Sequence, residues 1–136
     1  MKNLYLSVLC LAVPAVVAAQ ESTLTPAVEK AFELYCSLPS VLVPVLQEAT
    51  SKTSADTAAK KLPATYPAIF QAREAIRNIP ALTAQQNQAV QERYALRMRT
   101  EWARMYAEIE RLRIARCYES MSLWKEFRTM CMMIEK

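Results

Sequence analysis

The sequence has no histidine and no glycine. The first absence removes the side chain that titrates nearest neutral pH, and with it the Ser-His and Cys-His nucleophile pairs and the commonest metal ligand. The second removes phosphate-cradling loops, dinucleotide fingerprints, nucleophile elbows and EF-hand loops, whose backbones need a residue without a Cβ. Tight β-hairpins also lean on glycine for positive φ, so a sheet protein is not expected and helix is the default. No arrangement suits acid-base chemistry either. Glu108 and Glu110 stand two apart on a helix and face different directions. No catalytic residue, metal or cofactor is expected.

What is present begins with an address label. Lys2 supplies a positive start, Leu4 to Val17 is almost wholly apolar, and Val17-Ala18-Ala19 offers small residues before Gln20. This reads as a signal peptide over residues 1–19, followed by a single helical domain over residues 20–136. Pro14 interrupts a run shorter than the roughly 20 residues a bilayer span needs, so cleavage is expected rather than anchorage. No later stretch could span a membrane. The expected location is exported, periplasmic or secreted. The formal charge of +4 is mild, and a nucleic-acid partner is not expected.

Prolines and caps divide the remainder. Thr25-Pro26 is a start signal, a side-chain cap followed by proline where no helical amide bond is lost, and predicts a short helix over about 26–36. Ser37-Leu38-Pro39 predicts a break, with a second short helix over about 38–50 that must accommodate Pro44. Ala55, Ala59, Leu62, Tyr66, Ile69, Phe70 and Ile76 recur at helical spacing. They predict a helix over about 54–77, capped by Thr53 or Ser54, and kinked or divided at Pro63 and Pro67. Thr83 with Gln86 forms a capping box. Beyond it Val90, Tyr94, Met98, Trp102, Met105, Ile109 and Leu112 predict one long helix over about 84–116.

A helix of that length cannot bury its own apolar stripe. The expectation is an all-α fold: an antiparallel helical hairpin of 54–77 with 84–116, bent at Asn78 to Thr83. The short helices at 26–36, 38–50 and 121–134 would pack at its open end.

Three features offer themselves for function. Export favours a disulfide among Cys36, Cys117 and Cys131. A link from Cys36 to Cys117, with Cys131 as the alternative partner, is favoured, because Cys117 and Cys131 are separated by a turn and about eleven helical residues. Arg93, Arg97, Arg104 and Arg111, with Trp102, share the long helix and form a candidate binding face for a phosphate, sulfate or lipopolysaccharide surface. The plainer reading has Glu101 and Glu108 pairing with Arg97 and Arg104 on a solvated helix. In the tail, Trp124, Phe127, Met130 and Met133 form a candidate adaptable contact helix, which alternatively docks onto the hairpin.

Leu82-Thr83-Ala84-Gln85-Gln86 carries an LTxxQ motif, and Leu24-Thr25-Pro26-Ala27-Val28 an incomplete echo of it. The motif resembles the signature of small periplasmic helical chaperones of the Spy and CpxP kind. The resemblance implies a cradle that shelters unfolded clients on a basic, partly apolar face, to which Arg97, Arg104 and Trp102 would contribute. The expected function is contact with a protein partner or an envelope surface. The alternatives are a structural protein that homo-oligomerises through the long helix or a free cysteine, and a polyanion-surface binder.

Overall fold

The computed structural model describes residues 24–135, so the signal-peptide reading of residues 1–19 lies outside the described residues. These form an all-α fold, with no strand among them: α1 Pro26–Glu48, α2 Lys52–Lys61, α3 Tyr66–Arg77, α4 Ala84–Ile114 and α5 Met121–Glu135. No helix among them is long and apolar enough to cross a membrane.

Local chemistry sets most boundaries. Thr25 accepts from the Val28 amide to open α1. Ser51 and Ser54 form a reciprocal capping box that opens α2, with its N-cap two or three residues ahead of the caps expected at Thr53 or Ser54. Pro63 and Pro67 divide the third segment as anticipated, with a 3₁₀ turn over Leu62–Thr65 between α2 and α3. Thr83 and Gln86 cap α4 reciprocally, with Gln86 N to Thr83 Oγ1 at 3.2 Å and Thr83 N to Gln86 Oε1 at 3.0 Å. The helix then runs 31 residues without interruption.

The two short helices expected at 26–36 and 38–50 are a single helix. Pro39 and Pro44 lie inside α1, and the break at Ser37 to Pro39 does not occur. An interior proline removes the amide that would bond the carbonyl four residues earlier, which for Pro39 is the carbonyl of Tyr35. That carbonyl finds another donor: the Trp102 indole of α4 reaches it at 3.3 Å, while the two rings stack at 4.4 Å. A buried acceptor left empty costs about 1–3 kcal/mol, so a donor from outside the helix is what lets α1 continue through the proline.

The hairpin partner of the long helix also differs from expectation. Arg93 meets Glu29, Arg97 meets Glu33, Trp102 meets Tyr35, and Glu108 meets Gln47, separations of 61 to 67 residues that stay nearly constant along both helices. Such an offset means that α1 and α4 run parallel. α3 packs on α1 and does not approach α4. The segment 78–83 therefore crosses the N-terminal end of α1, where Ile79 and Leu82 cover Leu24 and Val28. The physical reason is the apolar width of α1. It buries Leu38, Leu42, Val43 and Leu46, enough to separate α3 from α4 and to bury the stripes of both.

At its C-terminal end α1 has no basic residue of its own in the last turn. Arg111 of α4 serves instead. Its guanidinium donates to the carbonyls of Leu46 and Ala49, each at 2.8 Å, and to the Tyr118 hydroxyl at 2.9 Å, while Nε binds Glu108 at 2.7 Å. A cation here meets both the last carbonyls and the negative end of the helix dipole.

After α4 the chain reverses through Arg116–Glu119, four residues with φ of 48°, 51°, 53° and 60°. This left-handed turn drives Cys117 into the core, fully buried. Ser120 then caps α5, accepting from the Leu123 amide at 3.0 Å and donating to Asp56 of α2. α5 packs on α2 and α3, where the Tyr66 hydroxyl donates to the Glu126 carboxylate at 2.6 Å. Leu123, Phe127 and Met130 join Leu42, Leu46, Met105 and Leu112 in the main core.

Two stability predictions follow from the α1–α4 seam. Trp102→Phe costs about 1–2 kcal/mol through the orphaned Tyr35 carbonyl, and Pro39→Ala recovers about 1 kcal/mol of that loss by restoring a helical amide. Urea denaturation of the four proteins in the double-mutant cycle measures the coupling. Arg111→Met lowers the unfolding free energy by about 2–3 kcal/mol, whereas Arg104→Ala stays within about 0.5 kcal/mol of the parent.

Candidate functional site

The arginines of the sequence reading divide into two groups. Arg93 and Arg97 cross to α1 and pair with Glu29 and Glu33, the second pair at 2.6 Å. Arg111 is taken up at the end of α1. The i,i+4 partners expected from spacing alone do not form, because Glu108 binds Arg111 at 2.7 Å and Arg97 prefers the carboxylate of the neighbouring helix. Arg104 makes no ion pair among the described residues. Trp102, placed on the same candidate face, is buried between Tyr35 and Tyr106. Most of the proposed basic face is therefore the seam between α1 and α4.

The cysteines are likewise separated. All three are free thiols. With an α1-to-α4 offset near 64 residues, Cys36 lies level with position 100 of α4. The end of α4, at Ile114, is fourteen residues further on, roughly 21 Å along the axis, and Cys117 follows it, against the 7 Å or so that a bridge spans. Cys36 sits in the smaller core with Val28, Val90 and Tyr94, and Cys117 in the larger one. The favoured Cys36–Cys117 link is not formed, because parallel packing puts the two ends it would join at different heights. Cys131, half-buried, faces α4 beside Ile109 and Arg113.

Burial pushes the Cys117 thiol up to about 11, and the neighbouring Cys131 thiol adds to the effect. Burial also raises Cys36, against the opposing influence of Arg97, and raises Cys131. None of the three is activated as a nucleophile. Tyr66 is held protonated above its ordinary range, first by burial and then by its bond to Glu126.

Of the candidate contact helix, Phe127 and Met130 are buried and Met133 packs against the core, leaving only Trp124 substantially exposed. The docked alternative describes α5 better than the adaptable surface does.

The surface that sequence reasoning missed lies on the opposite side of α4. Leu96 and Ile114 are each 75% exposed, and Tyr106 is 54% exposed. Leu96 and Ile114 stand eighteen residues apart, five turns of a helix at 3.6 residues per turn, so they project in the same direction. Between them on that face lie Thr100, Ala103, Ala107 and Glu110, all exposed. The steps from Leu96 to Ile114 are four, three, four, three and four, the spacing of a helix that faces another helix. Arg99 and Arg104 flank the stripe and make no ion pair among the described residues, while Arg113 pairs with Glu110 at 3.2 Å.

The stripe adjoins a cleft. α4 and α5 do not approach each other at the backbone. Between them is a cavity of 380 Å³ lined by Tyr106, Ile109, Glu110, Arg113, Cys131 and Ile134, with Glu135 at its edge. Its lining combines the apolar side chains of Ile109 and Ile134 with the charged groups of Glu110, Arg113 and Glu135. A signal for the stripe was present in the spacing, but alanine and threonine at its centre do not register as an apolar run. No family model, no curated protein and no solved structure matches this chain.

The thiols give a pH prediction. The folded Cys117 thiol holds its proton more tightly than the same group in the unfolded chain, so its contribution to stability is intact below pH 9.0 and is lost as pH rises through about 11. Cys117→Ala is expected to reduce the loss of stability between about pH 9 and 10. Denaturant melts across that range measure it.

Proposed function

We propose that this chain is an exported, non-catalytic helical protein that works by holding a protein or an envelope surface against the outward face of α4, in the manner of a chaperone-like binder. The observation that carries the reading is the exposed stripe from Leu96 to Ile114, on a helix whose other face is closed by α1 and the main core. A soluble helix that only covers a core presents charged and polar residues to water. This one presents leucine, isoleucine, tyrosine and two alanines, and apolar surface of that kind marks a contact. The leader-like segment Lys2 to Ala19 supports export, and the LTxxQ resemblance supports a chaperone-like role.

The test is suppression of aggregation. The purified protein is mixed in equimolar amount with a chemically reduced client, and turbidity is followed with the parent and with a Leu96→Glu, Ile114→Glu double variant. The parent is expected to suppress most of the scattering and the variant to lose most of that effect, at unchanged thermal stability. Equal suppression by both proteins removes the α4 face as the site, and no suppression by either removes the chaperone-like form of the reading.

A further inference from the structure

We infer that the outward face of α4 docks an acidic amphipathic helix of a protein partner, laid along the stripe from Leu96 to Ile114. This rests on the contact reading above and names the partner of that same surface.

The spacing comes first. Leu96, Thr100, Ala103, Ala107, Glu110 and Ile114 occupy alternate a and d positions of a heptad, and all six face solvent. Large side chains stand at the two ends and small ones at the centre, so the profile along the helix is a saddle about 27 Å long. A saddle of that shape fits a rod, because the small central residues allow a second backbone to come close while the end residues fill the partner's holes. Beside it, the cleft between α4 and α5 shares Tyr106, Glu110 and Arg113 with the rim of the stripe and is lined also by Ile109 and Ile134. That cavity takes a bulky anchor side chain from the flank of the docked helix.

Charge then selects among occupants. In heptad terms Arg99 and Arg113 take g positions and Arg104 an e position, the places that meet the flanks of a partner helix. Arg99 and Arg104 have no carboxylate of their own among the described residues. Two copies of this chain docked in parallel would set Arg99 against the other's Arg104. Docked antiparallel, they would set Arg99 against the other's Arg113. Both arrangements place like charges together, which disfavours a second copy. An anionic membrane is disfavoured for another reason. A helix that lies on lipid needs large apolar residues along its whole inserted face, whereas this face carries Thr100 and alanines at its centre and the Glu110 carboxylate within it. A partner helix with glutamate or aspartate on both flanks and small or aliphatic residues between satisfies the arginines and fills the saddle.

The experiment uses the purified protein and two synthetic peptides of about three heptads. They share a Leu/Ala seam and differ only in carrying glutamate or lysine at every e and g position. Binding is read by fluorescence anisotropy at low and moderate salt. The glutamate peptide is expected to bind at least about tenfold more tightly than the lysine peptide. Ala103→Trp, which fills the saddle from solvent and leaves the core untouched, is expected to weaken it by about tenfold without changing the helical circular dichroism or the melt. The Arg99→Glu, Arg104→Glu double variant is expected to reverse the preference.

Equal affinity for the two peptides, or an unchanged preference in the charge-reversed variant, overturns the inference. Two other outcomes overturn it while leaving the contact reading in place. One is binding to vesicles of one-third phosphatidylglycerol in phosphatidylcholine that the glutamate peptide does not displace. The other is a dimer in sedimentation equilibrium that Ala103→Trp dissociates. If peptides, vesicles and a second copy all fail to engage this face, the inference and the contact reading fall together.

Discussion

The structure depends on backbone acceptors of α1 that are satisfied from another helix. Proline at position 39 empties the carbonyl of Tyr35, and at the end of the helix the carbonyl of Ala49, and that of Leu46 with only a 3.3 Å bond from the Ala49 amide, lie open to a further donor. Trp102 and Arg111, both on α4, supply the missing donors. These bonds are directional and lie nine residues apart on one helix, so together they fix the height and the rotation of α4 against α1. Glu29 with Arg93 and Glu33 with Arg97 add exposed pairs in the same register, which solvent screens. The Trp102 and Arg111 bonds do the aligning, and the surface pairs follow.

Fixing that rotation decides which side of α4 faces water. Met105, Ile109 and Leu112 turn inward, Arg97 and Arg111 turn to α1, and the remaining arc, from Leu96 through Ala103 to Ile114, has nowhere to go but out. The candidate contact surface is thus a by-product of the interior bonding of α1. Parallel packing of two helices sets their dipoles side by side with the same sense, an arrangement with no favourable end-to-end term. The Arg111 guanidinium, placed where both α1 carbonyls and the Glu108 carboxylate reach it, offsets that disadvantage at the C-terminal end.

Features governed by chemistry within a few residues were legible. Thr83 with Gln86 announced the start of α4, Thr25 with Pro26 that of α1, and Pro63 and Pro67 marked where the third segment divides. The all-helical class followed from periodicity in a chain without glycine. The continuity of α1 was not legible, because local rules stop a helix at Ser37 to Pro39 and the indole that rescues it is 67 residues from the carbonyl it binds. Nor was the pairing of α1 with α4. Arg97 has a carboxylate four residues away in the sequence, and only the fold reveals that Glu33 is nearer. The outward stripe escaped notice for a third reason. A scan for apolar residues at helical spacing finds the strongest stripe on a helix, and on α4 that one runs through Tyr94, Trp102, Met105 and Ile109 into the core.

The left-handed reversal at Arg116–Glu119 has a corollary for the C-terminal helix. Each non-glycine residue held at positive φ costs about 1–2 kcal/mol, and with no glycine in the chain nothing relaxes that burden locally. It is sustained by the burial of Cys117, the hydroxyl of Tyr118 against Arg111, and the bond from Ser120 to Asp56. Those contacts exist only with the C-terminal helix in place, and Leu123, Phe127 and Met130 carry that helix into the main core. The reversal and α5 therefore settle together, the burial of one covering the backbone cost of the other.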